Sequence, residues 1–269
     1  MPELPEITLL AREMKEELVG RTFTGIEVLQ PKCLNLPEET FVAALKDARL
    51  LDVTQRGKWL FVETTQGWLL LHLGMGGEIL LLTRDRLPEK YRLLFDFDDD
   101  ACLSVNFWWL GHAHYVPAGE LDNHAMTAKL GPEALNLTAD DLQVLLKGRH
   151  GRIKSYLLNQ SHIAGIGNFY VHDILFLARL HPLRKADTLT EDDVEALAAA
   201  IRQGLESSIE KGSAYYEVNL YGQKGGFTKK DILIGYKEGQ PCPVCGTVIE
   251  KIKTGSTSSF ICPDCQPLK

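Results

Sequence analysis

Four cysteines near the C-terminus constrain this chain most. Cys242, Cys245, Cys262 and Cys265 are spaced C-x2-C-x16-C-x2-C. That spacing suits a tetrahedral zinc site closed by a β-hairpin, each C-x2-C turn supplying two thiolates. Residues 247–253 and 259–261 read as the two strands, and the small residues 254–258 read as the turn between them. Two disulfides are the other use of four cysteines, but they belong to exported chains. With all four positions filled by protein, one structural zinc ion is expected, holding shape and presenting the hairpin tip. The remaining thiols, Cys33 and Cys102, are isolated and read as buried.

The 269 residues suit one large or two ordinary domains, and 45% hydrophobic content is enough for a full core. No apolar run approaches the ~18–20 residues of a membrane span, and the charged N-terminus lacks a signal-peptide core. A cytoplasmic protein with no membrane partner is expected. The net charge of −7 argues against a generic nucleic-acid binder. The charge is uneven, however. Residues 145–185 hold seven bases (Lys147, Arg149, Arg152, Lys154, Arg179, Arg184, Lys185) against one acid, Asp173. That stretch is either a solvated face or a surface for phosphate.

Hydrophobic periodicity predicts a first helix over 5–19, with Ile7, Leu10, Ala11, Met14 and Leu18 on one face and Gly20 ending it. Strand-like runs follow at 22–29, 50–55, 59–64, 68–73, 78–82, 91–97 and 102–108, with a helix at 37–48. Asp98, Asp99 and Asp100 read as a turn rather than a metal site. Helices are predicted at 138–146, 153–159, 168–180 and 191–211, the last capped by Thr190 with Asp193 at the capping-box position. Residues 221–230, rich in Gly and Lys, read as a loop. The fold class is therefore α+β. An N-terminal β-sandwich with flanking helices is expected over 1–117, a linker over 118–137, a helical domain over 138–235 and a zinc finger over 236–269.

Two segments carry candidate chemistry. The chain opens Met-Pro-Glu-Leu-Pro-Glu. Loss of Met1 would expose the secondary amine of Pro2, and a free terminal amine titrates at roughly 7.7–8.0. Beside Glu3 and Glu6, such an amine makes a plausible covalent-catalysis pair. The plain alternative is a proline starting a helix. The second segment is Gln160-Ser161-His162-Ile163-Ala164-Gly165-Ile166-Gly167-Asn168-Phe169-Tyr170. Gly165 and Gly167 would let backbone approach a ligand, with Asn168 placed where a helix begins. G-x-G alone is also an ordinary tight turn, but this one lies between helices inside the basic stretch.

Taken in order, these motifs resemble the bacterial formamidopyrimidine-DNA glycosylase/endonuclease VIII family of base-excision repair enzymes. The resemblance spans the chain: MPELPE, QRGKWL around Lys58, HLGM at 72–75, LGPEAL at 130–135, IAGIGNFY, ARLHPLRKA at 178–186 and the zinc finger. It implies a helix-two-turns-helix in the helical domain and damaged duplex DNA as partner, bound by a monomer. It also implies a bifunctional glycosylase and abasic-site lyase acting on oxidised or ring-opened bases. Pro2 would attack C1′ of a flipped nucleotide and form an iminium, and β- and δ-elimination would follow. Glu3 would protonate the sugar ring oxygen and Glu6 orient its neighbours. Lys58 and Asn168 would bind flanking phosphates, alongside Lys154, Gly165 and Gly167. Met75 would fill the hole left by the flipped base.

Two departures stand out. Where the family carries a PRRF-like segment, this chain reads Phe107-Trp108-Trp109-Leu110. Tryptophan replaces the arginine that faces the orphaned base, and Leu110 replaces the phenylalanine wedge. Tryptophan stacks on bases but offers no guanidinium to read them. At the zinc-finger tip, Thr257 stands where the family places a phosphate-binding arginine. A non-catalytic or substrate-shifted damage-binding relative is the alternative function.

Overall fold

The computed structural model describes every residue except Ser256 and Lys269. The chain divides into two units. The first comprises Met1–Lys129 with Gly212–Gly226, and the second Leu130–Lys211 with Phe227–Lys269. Residues 212–226, expected within the helical domain, thus belong with the N-terminal unit.

In the first unit, α1 (Leu4–Leu18) is followed by β1 (Phe23–Val28), α2 (Glu38–Leu45), β2 (Leu50–Arg56), β3 (Trp59–Thr64) and β4 (Gly67–His72). Next come β5 (Glu78–Thr83), β6 (Leu93–Phe97), β7 (Ala101–Asn106) and β8 (His112–Val116). Two four-stranded antiparallel sheets form, ordered β1-β6-β7-β5 and β2-β3-β4-β8. Phe23, Phe95 and Leu103 of one sheet share a buried cluster with Leu60, Val62 and Leu71 of the other. α1 adds Ile7, Leu10, Met14 and Leu18 to it, the stripe its spacing predicted. Burying an aliphatic side chain of this size contributes roughly 1.5–3 kcal/mol.

Two expectations need correction here. The strand predicted to run through Trp108 ends at Asn106, because Phe107 turns into the core and the chain leaves the sheet. β8 was not predicted. Its His112-Ala113-His114-Tyr115-Val116 sequence lacks apolar alternation, yet its pairing with β4 puts it at a sheet edge.

The second unit holds α3 (Ala139–Leu146), α4 (Ile153–Leu158), α5 (Val171–Leu177) and α6 (Glu191–Glu210), then the hairpin β9 (Glu250–Thr254) and β10 (Thr257–Ile261). The predicted cap forms: the Asp193 N–H donates to Thr190 Oγ1 at 3.2 Å, and the Thr190 N–H donates to Asp193 Oδ2 at 2.9 Å. Thr138 and Asp141 repeat the motif on α3. α5 begins at Val171, three residues later than predicted, so Asn168 lies in the turn before it. A Cβ on Gly204 would stand 2.8 Å from Ile174 Cγ1, so glycine sets how closely α6 and α5 pack. The predicted hairpin turn contains Ser256, which lies outside the described residues. No helix among the described residues is long and apolar enough to cross a membrane.

Candidate functional site

The first unit buries the start of its chain from the second residue on, while Met1 itself is 38% exposed. Pro2 is buried, and Glu3 and Glu6 are each 4% exposed. A capping box fixes both acids: the Glu3 N–H donates to Glu6 Oε2 at 2.8 Å while the Glu3 carboxylate accepts from the Glu6 N–H. Lys58, in the turn between β2 and β3, is buried as well. Burial lowers its pKa, and the charges of Glu3 and Glu6 oppose that fall. Four residues singled out from sequence, Pro2, Glu3, Glu6 and Lys58, are therefore brought together.

The segment 212–226 lies along α1, held by glutamates spaced seven and four apart on one helical face. Glu6 Oε1 accepts from the Ala214 N–H at 3.2 Å, Glu13 Oε2 from the Leu220 N–H at 2.9 Å, and Glu17 Oε1 from the Tyr221 hydroxyl at 2.7 Å. Leu220 also accepts from the Leu81 N–H of β5 at 2.9 Å. This anchoring places Glu217 beside the chain terminus, where its Oε1 stands 3.6 Å from the Met1 ammonium. Burial raises the Glu217 pKa, the ammonium opposes the rise, and Glu3 adds to it.

The predicted base-contacting residues form a separate apolar patch on this unit. Trp108, Trp109 and Leu110 are 70%, 71% and 65% exposed, and Met75 is half exposed, so neither tryptophan is core. Two backbone bonds pair the loops: the Met75 N–H donates to the Trp109 carbonyl at 2.8 Å and the Trp108 N–H to the Met75 carbonyl at 2.9 Å. Leu110 is left-handed, with φ +59°. Its carbonyl lies 3.1 Å from His72 Nδ1, so the imidazole pins the loop. His72 is depressed to about 4, chiefly by burial, and is neutral at pH 7. Gly74 allows the loops to meet, since a Cβ there would lie 2.1 Å from the Trp109 carbonyl.

In the second unit the glycine turn is tied by Gln160. Its Oε1 accepts from the Gly165 N–H at 2.9 Å and its Nε2 donates to the Ile166 carbonyl at 2.8 Å. Gly165 takes φ +109°. Asn168 Nδ2 lies 3.4 Å from the Tyr236 hydroxyl, and its buried Oδ1 has no partner among the described residues. Asp173 fixes the strand of chain leading to Tyr236 by accepting the N–H groups of Leu233, Ile234 and Gly235 at 2.7–3.0 Å. Burial pushes the Asp173 pKa up and those three donors pull against it.

Lys154 reaches the hairpin. Its Nζ donates to the Ser258 carbonyl at 2.6 Å and to Thr257 Oγ1 at 3.2 Å. Among the described residues no carboxylate pairs with it, and burial lowers it to about 8. Lys154 is only 2% exposed, so it stands under the hairpin tip rather than on the surface.

All four thiols that sequence assigned to zinc converge. Sγ–Sγ distances of 3.4 Å for Cys245–Cys262, 3.5 Å for Cys245–Cys265 and 3.9 Å for Cys242–Cys265 lie near the ~3.8 Å edge of a tetrahedron with ~2.3 Å Zn–S bonds. The four sulfurs lie within 4.8 Å of one another, so the donor set fits one zinc ion. Cys242 and Cys262 also pack with Phe176, Ile234, Ile249 and Phe260, which makes the metal site part of a core.

Comparison with known proteins places these parts. Residues 1–106 match the formamidopyrimidine-DNA glycosylase N-terminal domain, 130–218 the formamidopyrimidine-DNA glycosylase H2TH domain, and 239–268 the zinc finger found in FPG and IleRS. The chain belongs to the formamidopyrimidine-DNA glycosylase family. It is 36% identical to the formamidopyrimidine-DNA glycosylase of Pelotomaculum thermopropionicum over 277 residues, covering all of both chains. It is 33% identical to that of Pectobacterium atrosepticum, over 99% of this chain and all of the other. Among solved structures it resembles Lactococcus lactis Fpg in complex with DNA containing an abasic site, with TM-score 0.91, 28% identity and 98% and 99% of the two chains covered. It also resembles MutM in complex with carbocyclic 8-oxo-G containing DNA, with TM-score 0.90, 29% identity and 99% and 100% covered.

The sequence motifs found the zinc ligands, and they singled out the terminal amine, Lys58 and the glycine turn as candidates. They missed Glu217, Asp173, His72's hold on Leu110, and Tyr236. Asp173 did carry a signal: it is the lone acid in the basic stretch. Glu217 carried none, because its partner is 216 positions away.

Proposed function

We propose that this chain is a DNA glycosylase of base-excision repair that also cleaves the strand at the resulting abasic site. The glycosylase part follows from family membership and from the DNA complexes of its structural relatives. The lyase part rests on one observation: a buried Pro2 set beside Glu3, Glu6 and Lys58, a cluster of three buried charged side chains of the kind that marks functional sites. With Met1 removed, the Pro2 amine attacks C1′, Glu3 protonates the ring oxygen, and an iminium forms that acidifies the C2′ hydrogen. Elimination then releases the 3′ phosphate. Lys58 holds a flanking phosphate. Asn168, with Gly165 and Gly167, binds backbone through the pinned turn, and Lys154 supports the hairpin tip from below. Met75, Trp108, Trp109 and Leu110 enter the duplex at the flipped nucleotide. Oxidised or ring-opened bases are the substrate class.

Borohydride trapping on a duplex with one abasic site tests the reading. A covalent adduct that is lost in Pro2→Gly is expected. The exposed tryptophan pair favours a second reading, a damage binder without chemistry. It predicts tight binding to the same duplex with no adduct.

A further inference from the structure

In the first unit, Glu217 is a buried carboxylate that the proposed chemistry leaves unused. Glu217 is 8% exposed and lies on neither a helix nor a strand. Its loop is built to hold it at the start of α1. Glu6, Glu13 and Glu17 anchor that loop at three points, and the Gly225 N–H donates to the Glu217 carbonyl at 3.2 Å. Gly225 packs against the loop's own backbone, where a Cβ would meet the Ser213 carbonyl at 2.2 Å. A carboxylate held so firmly out of water needs a partner, and among the described residues the chain terminus stands within ion-pair distance, at 3.6 Å. Loss of Met1 moves that amine by one residue, at most about 3.6 Å along the chain, onto Pro2.

We propose that Glu217 is the proton partner of the Pro2 amine, accepting its proton before attack and returning it to the departing oxygen. This deepens the lyase reading and rests on it. At an aldehydic abasic site the step balances as follows. One proton passes from the secondary ammonium to the Glu217 carboxylate. The freed lone pair forms the N–C1′ bond while the carbonyl π electrons move to the aldehyde oxygen. The second N–H proton moves to that oxygen, and Glu217 delivers the first one there. The C1′–O bond breaks, water leaves, and the positive charge stays on the iminium nitrogen. Glu217 ends as the carboxylate it was.

Bound DNA would drive the first transfer. Excluding water from an ammonium–carboxylate pair disfavours the two charges relative to the neutral amine and acid. Burial already raises the Glu217 pKa and so narrows its gap to an amine. The charged and titratable groups near this pair are Glu3 at the N-cap of α1, Glu6 in its first turn, Lys58 in the β2–β3 turn and His72 on β4. Glu3 is assigned to the ring oxygen, and Glu217 stands within ion-pair distance of the terminal ammonium, at 3.6 Å.

The test uses full-length, zinc-loaded protein with Met1 removal verified by intact mass. Single-turnover borohydride trapping on an abasic-site duplex is followed from pH 5.5 to 9. Glu217→Gln is expected to slow trapping about 100-fold at pH 7. Its rate should climb with pH toward the ordinary amine pKa of about 8, where the wild-type rate has already levelled. Glu217→Asp should recover part of the rate with the wild-type profile. Affinity for a tetrahydrofuran-containing duplex, which cannot form an imine, should stay within twofold in both variants. That readout also reports folding. An unchanged rate and profile in Glu217→Gln, with the wild type trapping normally, would overturn the role of Glu217 alone. No adduct in the wild type would overturn the lyase reading and this inference with it.

Discussion

His172 offers a quantitative test of how the second unit is held. It lies on α5, is 1% exposed, and packs edge-on against Tyr236 and Phe260 with ring centroids 5.6 and 5.2 Å away. Neither ring nitrogen has a hydrogen-bond partner among the described residues. Burial, with a smaller contribution from the Lys154 charge, depresses it to about 3. An unfolded histidine titrates near 6.5. The folded value is the lower one, so the stability it contributes is complete above pH 6.5 and is lost as pH falls from there toward 3. At pH 5 the unfolded state binds nearly one more proton than the folded state, which costs about 2 kcal/mol. At pH 7 that difference vanishes, but a buried N–H without a partner still costs roughly 1–3 kcal/mol. His172→Phe removes both penalties and keeps a ring among rings. It should stabilise the protein by about 1 kcal/mol at pH 7, after an allowance for imperfect packing, and by about 3 kcal/mol at pH 5. Urea unfolding of zinc-loaded wild type and variant at both pH values measures the gap. Any acid effect on the zinc thiolates acts on both proteins and cancels. A gap that does not widen at pH 5, or a variant less stable than wild type at pH 7, would refute the reasoning.

Two further outcomes follow from the same geometry. Asp173→Asn keeps one carbonyl oxygen but turns an N–H donor toward backbone donors, so it should cost about 2–4 kcal/mol in urea unfolding and loosen the 233–236 segment toward hydrogen exchange. A loss below 1 kcal/mol would show that these bonds do not hold the segment. Trp109→Ala and Trp108→Ala should each leave stability within about 0.5 kcal/mol, because both side chains are mostly exposed. Each should nevertheless weaken binding to an abasic-site duplex by about 1–3 kcal/mol in titration, with little dependence on the base opposite, since stacking tolerates any base.

Sequence made legible whatever is local or stoichiometric. The C-x2-C pairs announced a metal cage because four thiolates at that spacing have few other uses. Thr190 and Asp193 announced a helix start because the capping box spans four residues. α1 was readable from its apolar stripe. The losses have a common cause in long-range contact. β8 is specified by its pairing with β4 rather than by its own alternation, so His112 and His114 hid it. Trp108 ends a strand-like run, and aromatic residues favour strands, yet the loop pairing with Met75 holds it outward. The loop 212–226 read as part of the helical half because nothing in its own sequence names Glu6, Glu13 and Glu17 as its anchors.

Net charge misled for a related reason, and the correction can be tested. An acidic chain argues against nucleic acid only if its acids face the ligand. Glu6, Glu13 and Glu17 are engaged with backbone and a hydroxyl, and Glu27 and Asp96 pair with Arg84. The basic stretch shrinks under the same scrutiny. Of its seven cations, Lys154 is buried under the hairpin, and Arg184 is buried against Asp193 at 2.6 Å and the Thr188 carbonyl at 2.9 Å. Lys147, Arg149, Arg152, Arg179 and Lys185 remain exposed. Two substitutions of equal formal charge should therefore behave oppositely. Arg184→Gln breaks a buried pair and should cost about 3 kcal/mol of stability while leaving the salt dependence of DNA binding unchanged. Arg149→Gln or Arg152→Gln should leave stability within about 0.5 kcal/mol. Each should flatten the plot of log affinity against log salt by about 0.9 if its guanidinium neutralises one phosphate. Equal slopes for all three variants would mean that the exposed stretch is a solvated face, and that phosphate is gripped by the buried turn and Lys58 instead.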